Sequence, residues 1–393
     1  MLPIAKTIAI AGVPLSLVGC ASMADRLING TRMMPPYHAN LAAEQLHQAL
    51  LIVDLHADTM LWDRNLLKRG SYGHVDIPRL QEGNVGLQIF SVVTKIPLFL
   101  KLDNNKDRPD AITLLAMLQG WPKKARSSLL ERAVYQGEKL NDWVHKSGGA
   151  LKLITNKKDL RELRTARDQG KQVIGGMLSL EGVQALESDP ANLDRLYNLG
   201  FRVIGLAHLF DNDMAGSAHG LKKGGLTMLG RKMVLHAQER GMIIDLAHAS
   251  PQAIDDTLSM VNKPVIVSHT GVRGTCDTVR NLSDSQVKEI ASTGGVMGIG
   301  LFKYATCGKR LDDTVKAMRY VADLVGVQHV ALGSDFDGSK TVVNAGGLVL
   351  LTAAMLDAGF TKYEITAIMG DNVLRVLRQT LPDGRTDTGI GTQ

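Results

Sequence analysis

The sequence predicts an α/β fold, a single (β/α)8 barrel of the TIM-like type, and three observations predict it. Eight apolar runs recur along the chain, at about 50–55, 85–93, 174–180, 201–207, 242–247, 264–268, 296–301 and 329–334, and eight strands is the number that closes a small barrel. The runs are continuous in Val, Ile and Leu rather than alternating, which suits parallel strands covered on both faces. Ionisable residues stand where the runs end: His56 and Asp58, Glu181, His208, His248, His269 and Asp335. In a barrel of parallel strands those ends converge on one mouth, where active sites are built.

At 393 residues with 45% hydrophobic and 21% charged content, the chain can bury a large core as one unit. A formal net charge of +6 and only 4% aromatic residues, with Lys and Arg scattered among Asp and Glu, exclude the basic stripe and stacking platform of a nucleic-acid binder.

The chain opens as a targeting segment. Lys6 supplies a positive end, Thr7–Val18 is mostly apolar, and Leu17-Val18-Gly19-Cys20 has the small residues of a cleavage site. The apolar stretch is short for a bilayer span. It resembles a bacterial lipoprotein signal, which implies cleavage, lipidation of Cys20 and an exported, membrane-anchored protein facing the periplasm or the cell surface. An ordinary secretory signal is the alternative. The expected organisation is a signal over 1–20, a linker over 21–37, the barrel domain over 38–380 and a tail over 381–393. Only Cys276 and Cys307 then remain in the mature chain. An even number in an exported protein permits a Cys276–Cys307 disulfide, with two unrelated buried thiols as the other reading.

Along the domain, a helical pattern, a glycine and an apolar run repeat. Gly200 precedes Phe201–Leu206, Gly241 precedes Met242–Leu246, and Gly294-Gly295 precedes Val296–Leu301; glycine past a helix end takes the left-handed cap without steric cost. Ser283 with Gln286, and Thr361 with Glu364, read as capping boxes. The long interval between the second and third runs carries a helical pattern near Ser127–His145 and a short strand at Leu151–Ile154, and reads as an elaborated loop. A doubly wound open sheet is the main competitor, but no glycine-rich phosphate fingerprint follows the first run.

His56-Ala57-Asp58 puts two ligand types on one side of an extended segment, within reach of one cation. Asp54, two residues earlier, is placed either to orient His56 or to bond a turn. His248 and His269 end neighbouring strands, so their imidazoles can share a second cation. Glu181, after the apolar Met177–Leu180, can bridge the two. Two divalent cations bring four positive charges, and Asp58, Glu181, Asp335 and a bridging hydroxide would bring four negative ones, which reduces the desolvation penalty of a buried cluster. Such a pair acidifies a shared water and polarises a carbonyl, so hydrolysis is the natural chemistry.

Together, His56-x-Asp58, Ser179-Leu180-Glu181-Gly182, Asp245-Leu246-Ala247-His248, Ser268-His269, Gly333-Ser334-Asp335-Phe336-Asp337-Gly338 and His74-Val75-Asp76-Ile77-Pro78-Arg79-Leu80 resemble the membrane (renal-type) dipeptidase family of dinuclear zinc peptidases. The likeness runs from about residue 50 to Asn372–Val376. It implies a metal-dependent hydrolase barrel in which His56 and Asp58 hold one Zn2+, His248 and His269 the other, and Glu181 bridges them; other divalent cations would also suit these ligands. It further implies that His208 contacts the substrate carbonyl and the oxyanion formed from it, and that Asp335 carries the proton from the bridging hydroxide's parent water to the leaving amine. Arg280 would grip the substrate carboxylate, and Tyr304 would also touch substrate. The implied partners are dipeptides and, through the N-terminal lipid, a membrane, with a homodimer left open and no nucleic acid. Flanks of His208 that differ from the vertebrate pattern, and Val183 in place of a second glycine after Glu181, depart from the family. An amidohydrolase acting on N-acyl amino acids, or a metal-stabilised binding lipoprotein without turnover, are the competing functions.

Overall fold

The structure is a computed structural model, and it describes residues 13–384, with side chains from Ala21 onward. Nine strands form one parallel sheet: β1 (Ile52–Ala57), β2 (Val85–Val93), β3 (Leu151–Leu153), β4 (Ile174–Glu181), β5 (Phe201–Gly205), β6 (Ile243–Asp245), β7 (Ile266–Thr270), β8 (Val296–Ile299) and β9 (Val330–Leu332). Their order is β2-β1-β9-β8-β7-β6-β5-β4-β3, and a further β2–β4 pairing closes eight of them into a barrel. β2 and β4 pair from Leu87 with Gly175 to Val93 with Glu181. The ninth strand, β3, joins the first half of β4 at Ile174–Gly176, while β5 pairs with its second half at Leu178–Leu180.

Side-chain alternation then sorts the core into two. Val53, Leu55, Leu87, Ile89, Met177, Val203, Ile243, Ile266, Val296 and Ala331 draw on all eight barrel strands and cluster with Val373, Leu374, Val376 and Leu377 of the helix Asn372–Thr380. These residues fill the barrel interior. The opposite faces, among them Ile52, Phe90, Leu178, Ile204, Ile244, Val267, Met297 and Leu332, pack against the surrounding helices. Continuous apolar strands follow from this double coverage.

The local stops operate as the sequence reads. Gly200 and Gly241 take φ of +115° and +70° at their helix-to-strand turns, and both capping boxes form, at Ser283–Gln286 and Thr361–Glu364. The helix of the long second connection runs from Leu129 to Lys146 under a Ser128 cap.

The segment 21–37, expected as a linker, is docked instead. Helix α1 (Val13–Ile28) continues through it, and Ala21, Asp25 and Asn29 are buried. Beyond the helix, the amides of Arg32 and Met33 donate to the carbonyls of Thr341 and Val342 at 3.1 and 2.9 Å. The ordered fold also extends past 380, where a tail was expected: Leu381 is buried and Lys157 pairs with Asp383 at 2.9 Å. Residues 1–12 and 385–393 and the side chains of residues 13–20 lie outside the described residues, so the start of the targeting segment and the lipidation side chain of Cys20 are not described. Among the described residues, no helix is long and apolar enough to cross a membrane.

Candidate active site and metal centre

Six of the eight barrel strands, β1, β4, β5, β6, β7 and β9, deliver ionisable residues to the carboxyl end. His56 lies near the end of β1 and Asp58 just beyond it, Glu181 closes β4, and His269 lies near the end of β7. His208, His248 and Asp335 follow β5, β6 and β9. All seven are buried; all but His56 line one cavity of about 270 Å³, and His56 lies directly behind it against Asp58 and Glu181. His248 and Asp335 have left-handed backbones, φ of +62° each, a conformation that costs roughly 1–3 kcal/mol for a residue with a side chain and persists where surrounding contacts over-determine it.

Glu181 is the centre of the cluster. Its Oε1 lies 3.1 Å from His248 Nε2, 3.5 Å from His269 Nε2 and 3.6 Å from His208 Nε2. Its Oε2 lies 3.7 Å from His56 Nε2. His56 Nε2 in turn lies 3.2 Å from Asp58 Oδ1, and His56, Asp58 and Asp335 offer ligand atoms within 4.8 Å of one another. The rings of His56 and His269 are 3.7 Å apart between centroids, and the Nε2 atoms of His248 and His269 are 3.0 Å apart.

These residues fit a cation. His56 Nε2, Asp58 Oδ1 and Glu181 Oε2 are buried without a hydrogen-bond partner, and buried polar atoms ordinarily have one. The hydroxyl oxygen of Ser268 lies 3.2 Å from His56 Nδ1 and 2.9 Å from His269 Nδ1. With two lone pairs it can accept from both Nδ1–H groups, which turns both Nε2 atoms toward the cluster, the usual arrangement behind metal-binding imidazoles.

Electrostatics point the same way. Burial, with repulsion from Asp58 and Asp335, pushes the Glu181 carboxyl well above its ordinary range despite His56. Burial likewise raises Asp335 to about 7. Burial favours a neutral His56, yet Glu181, Asp58 and Asp335 together push it up to about 10. Burial and neighbouring cationic groups hold His208 down at about 3 and drive His248 and His269 well below their usual value. Three crowded carboxylates, which already draw a proton onto His56, beside the neutral His208, His248 and His269 form a donor set that positive charge would stabilise.

Arg280 and Tyr304 complete the wall. Arg280 is buried and donates from Nη2 to the His269 carbonyl, while Tyr304 is 56% exposed at the rim. A bond between Cys276 and Cys307, with Cα atoms 5.3 Å apart, ties the loop carrying Arg280 to the short helix carrying Tyr304.

Sequence reading missed two residues. His219 lines the same cavity, its ring 5.0 Å from that of His248 and its Nδ1 2.7 Å from the Leu102 carbonyl; it lies on a loop with no strand run before it, so no sequence signal marks it. Ser268 is marked only by standing before His269. Asp54 does not orient His56: it accepts from the Ser334 amide and hydroxyl at 2.8 and 2.6 Å and from Gln88 at 2.7 Å, because its side chain faces β9 and β2 rather than the mouth.

A family model described as membrane dipeptidase, peptidase family M19, matches residues 41–384. The chain belongs to the membrane dipeptidase family. It is therefore a metallo-dipeptidase, a hydrolase of peptide bonds. Among curated relatives of this M19 member, dipeptidase tcpJ of Claviceps purpurea is 26% identical, over 96% of this chain and 86% of that protein. An uncharacterized dipeptidase of Schizosaccharomyces pombe, C965.12, is 27% identical over 80% of this chain and 74% of its own length. Among solved structures, the probable dipeptidase PvdM of Pseudomonas aeruginosa superposes with a TM-score of 0.72 at 20% identity, covering 86% of this chain and 97% of that one. A metallo peptidase of Rhodobacter sphaeroides, liganded with a phosphinate mimic of L-Ala-D-Ala, gives 0.71 at 20% identity, covering 84% and 99%. At that identity the structures establish the shared fold.

Proposed function

We propose that this M19 member cleaves dipeptides with two zinc ions, His56 and Asp58 holding one, His248 and His269 the other, and Glu181 bridging. The observation that carries this reading is the two-sided placement of Glu181, one carboxylate oxygen toward His248 and His269 and the other toward His56. Two divalent cations so held supply an acidified water and a polarised peptide carbonyl.

The chain's own residues supply the rest. His208, kept neutral by burial, has an N–H to donate to the carbonyl oxygen and to the charge that develops on it. Asp335, whose carboxyl burial raises toward neutrality, is suited to take a proton from the attacking water and return it to the leaving amine. Bound cations beside it would draw its pKa down again. The Arg280 fork suits a free carboxylate, with Tyr304 at the rim of the cavity. Buried acid, buried guanidinium and neutral imidazole in one pocket are more than metal-stabilised binding requires.

The test is release of amino acid from a panel of L,L- and L,D-dipeptides, tripeptides and N-acyl amino acids. The reading expects dipeptides to dominate, with some tolerance of a D-residue at the C-terminal position; preference for N-acyl amino acids would favour the amidohydrolase alternative instead. The Leu17–Cys20 segment supports an exported lipoprotein anchored at Cys20, which mass spectrometry of the mature N-terminus tests. Sedimentation of the mature protein tests for a homodimer.

A further inference from the structure

Asp337, two residues beyond Asp335, is fully buried and uses every polar atom it has. Its amide donates to His74 Nδ1 at 2.8 Å, and its carbonyl accepts from Trp62 Nε1 at 2.7 Å. Its Oδ1 accepts from the His74 amide at 2.7 Å, and its Oδ2 accepts from the Thr59 hydroxyl at 2.8 Å. Arg64 Nη2 forms an ion pair with the same Oδ2 at 2.8 Å. One residue earlier, the Phe336 carbonyl accepts from the Asp58 amide at 2.8 Å. The loop is thus pinned on the side of Asp335 that leads away from β9, and pinned to the same stretch that supplies Asp58.

The pinning answers a local problem. Asp335 and Asp337 both hold left-handed backbones, φ of +62° and +61°, which a residue with a side chain adopts only where its surroundings impose it. A buried carboxylate such as Asp337 also needs a paired cation, and removing that partner leaves an uncompensated charge. Arg64 supplies it, and Arg64 Nε lies 3.2 Å from Asp25 Oδ2. Asp25 is buried and belongs to α1, in the part of that helix beyond the apolar Thr7–Val18 stretch.

We propose that Asp337 and Arg64 are positioning residues for Asp335, and that Asp25 brings the N-terminal helix into the same network, so that the seating of α1 sets turnover. The chain of contacts runs from Asp25 to Arg64 to Asp337, and from there through two peptide units to the carboxylate facing His56 and Asp58. His74, the first residue of the His74–Leu80 motif, enters the same network, because its ring and its amide hold both ends of Asp337. The inference rests on the dipeptidase reading with Asp335 in proton transfer.

The experiment compares wild type, Asp25→Asn, Arg64→Met, the double variant and the surface control Arg69→Met in the full-length, metal-loaded protein, measuring kcat, KM and metal content. Displacing a reacting group by even about 1 Å can lower turnover on the order of 100-fold. The expected result is a kcat lower by about tenfold or more in Arg64→Met and by about threefold in Asp25→Asn, with KM within about twofold and metal content unchanged. The double variant should be no slower than Arg64→Met, since both residues act through one path. Wild-type kcat in Asp25→Asn, losses that multiply in the double variant, or loss of metal alongside activity would each overturn the inference. If Arg64→Met does not fold, Asp25→Asn alone decides. Wild-type protein inactive on dipeptides would count against the proposed function rather than against this network.

Discussion

His56 and His269 lie with ring centroids 3.7 Å apart, although one comes from β1 and the other from β7. Strands that are not neighbours in the sheet bring imidazoles together only if the barrel closes and both chains end at the same level. Ser268 holds the pair, its hydroxyl within 3.2 and 2.9 Å of their Nδ1 atoms. The site is therefore a product of closure, and its chemistry depends on groups that closure crowds together.

Replacing Asp335 with Asn keeps the shape and removes the carboxylate proposed to carry the proton. General acid–base groups contribute roughly 10²–10⁴-fold, so kcat for a dipeptide should fall by about that factor while both metals stay bound. Steady-state kinetics beside elemental analysis checks it, and near-normal turnover in a metal-replete variant would remove Asp335 from the role.

Arg280→Lys retains the charge and loses the fork. The guanidinium is buried and already directed by its bond to the His269 carbonyl, and a lysine cannot grip a carboxylate through two parallel bonds. KM for dipeptides should rise by about tenfold or more, whereas dipeptide amides, which lack the carboxylate, should show little change.

His47 makes stability depend on pH away from the site. It is buried, with Nδ1 2.9 Å from Thr352 Oγ1 and Nε2 3.1 Å from the Gly83 carbonyl, and burial lowers its pKa from 6.5 to about 4. The unfolded chain therefore binds this proton first as pH falls through 6.5, and the folded chain binds it only near 4. Stability is fully present above the unfolded value and is lost across that window, by an amount on the order of 3 kcal/mol. Denaturant titrations at pH 7.5 and 4.5 should show a smaller difference for His47→Gln than for wild type.

The Cys276–Cys307 bond closes a loop with a sequence separation of 31, which in the chain-entropy picture stabilises the fold by about 3–4 kcal/mol. The Cys276→Ser/Cys307→Ser variant should unfold at lower denaturant by that measure. Its KM should also rise, because the bond joins the segments bearing Arg280 and Tyr304.

The seven residues of the mouth were legible because two regularities coincide in them. Continuous apolar runs mark the strands, and parallel strands bring their carboxyl ends to one side, so the polar residue ending each run is placed without knowing any contact. What escaped lacks that signal. His219 sits on a loop whose position is set by contact with Leu102, and Asp337 has its partners at Thr59, Trp62, Arg64 and His74, far off in sequence. The docked segment 21–37 reads as a linker because its exposed Met23 and Leu27 hide the spacing of buried Ala21, Asp25 and Asn29. Asp54 shows the limit within a strand, since its neighbour His56 reaches the mouth while Asp54 bonds Ser334 and Gln88.

The proposed chemistry requires Glu181 to lie between two metal ions. Metal-free protein titrated with Zn2+ while dipeptide turnover is followed tests it most directly. Activity should reach its plateau at two equivalents per chain, and Glu181→Gln should bind fewer and stay inactive. Full activity at one equivalent would contradict it.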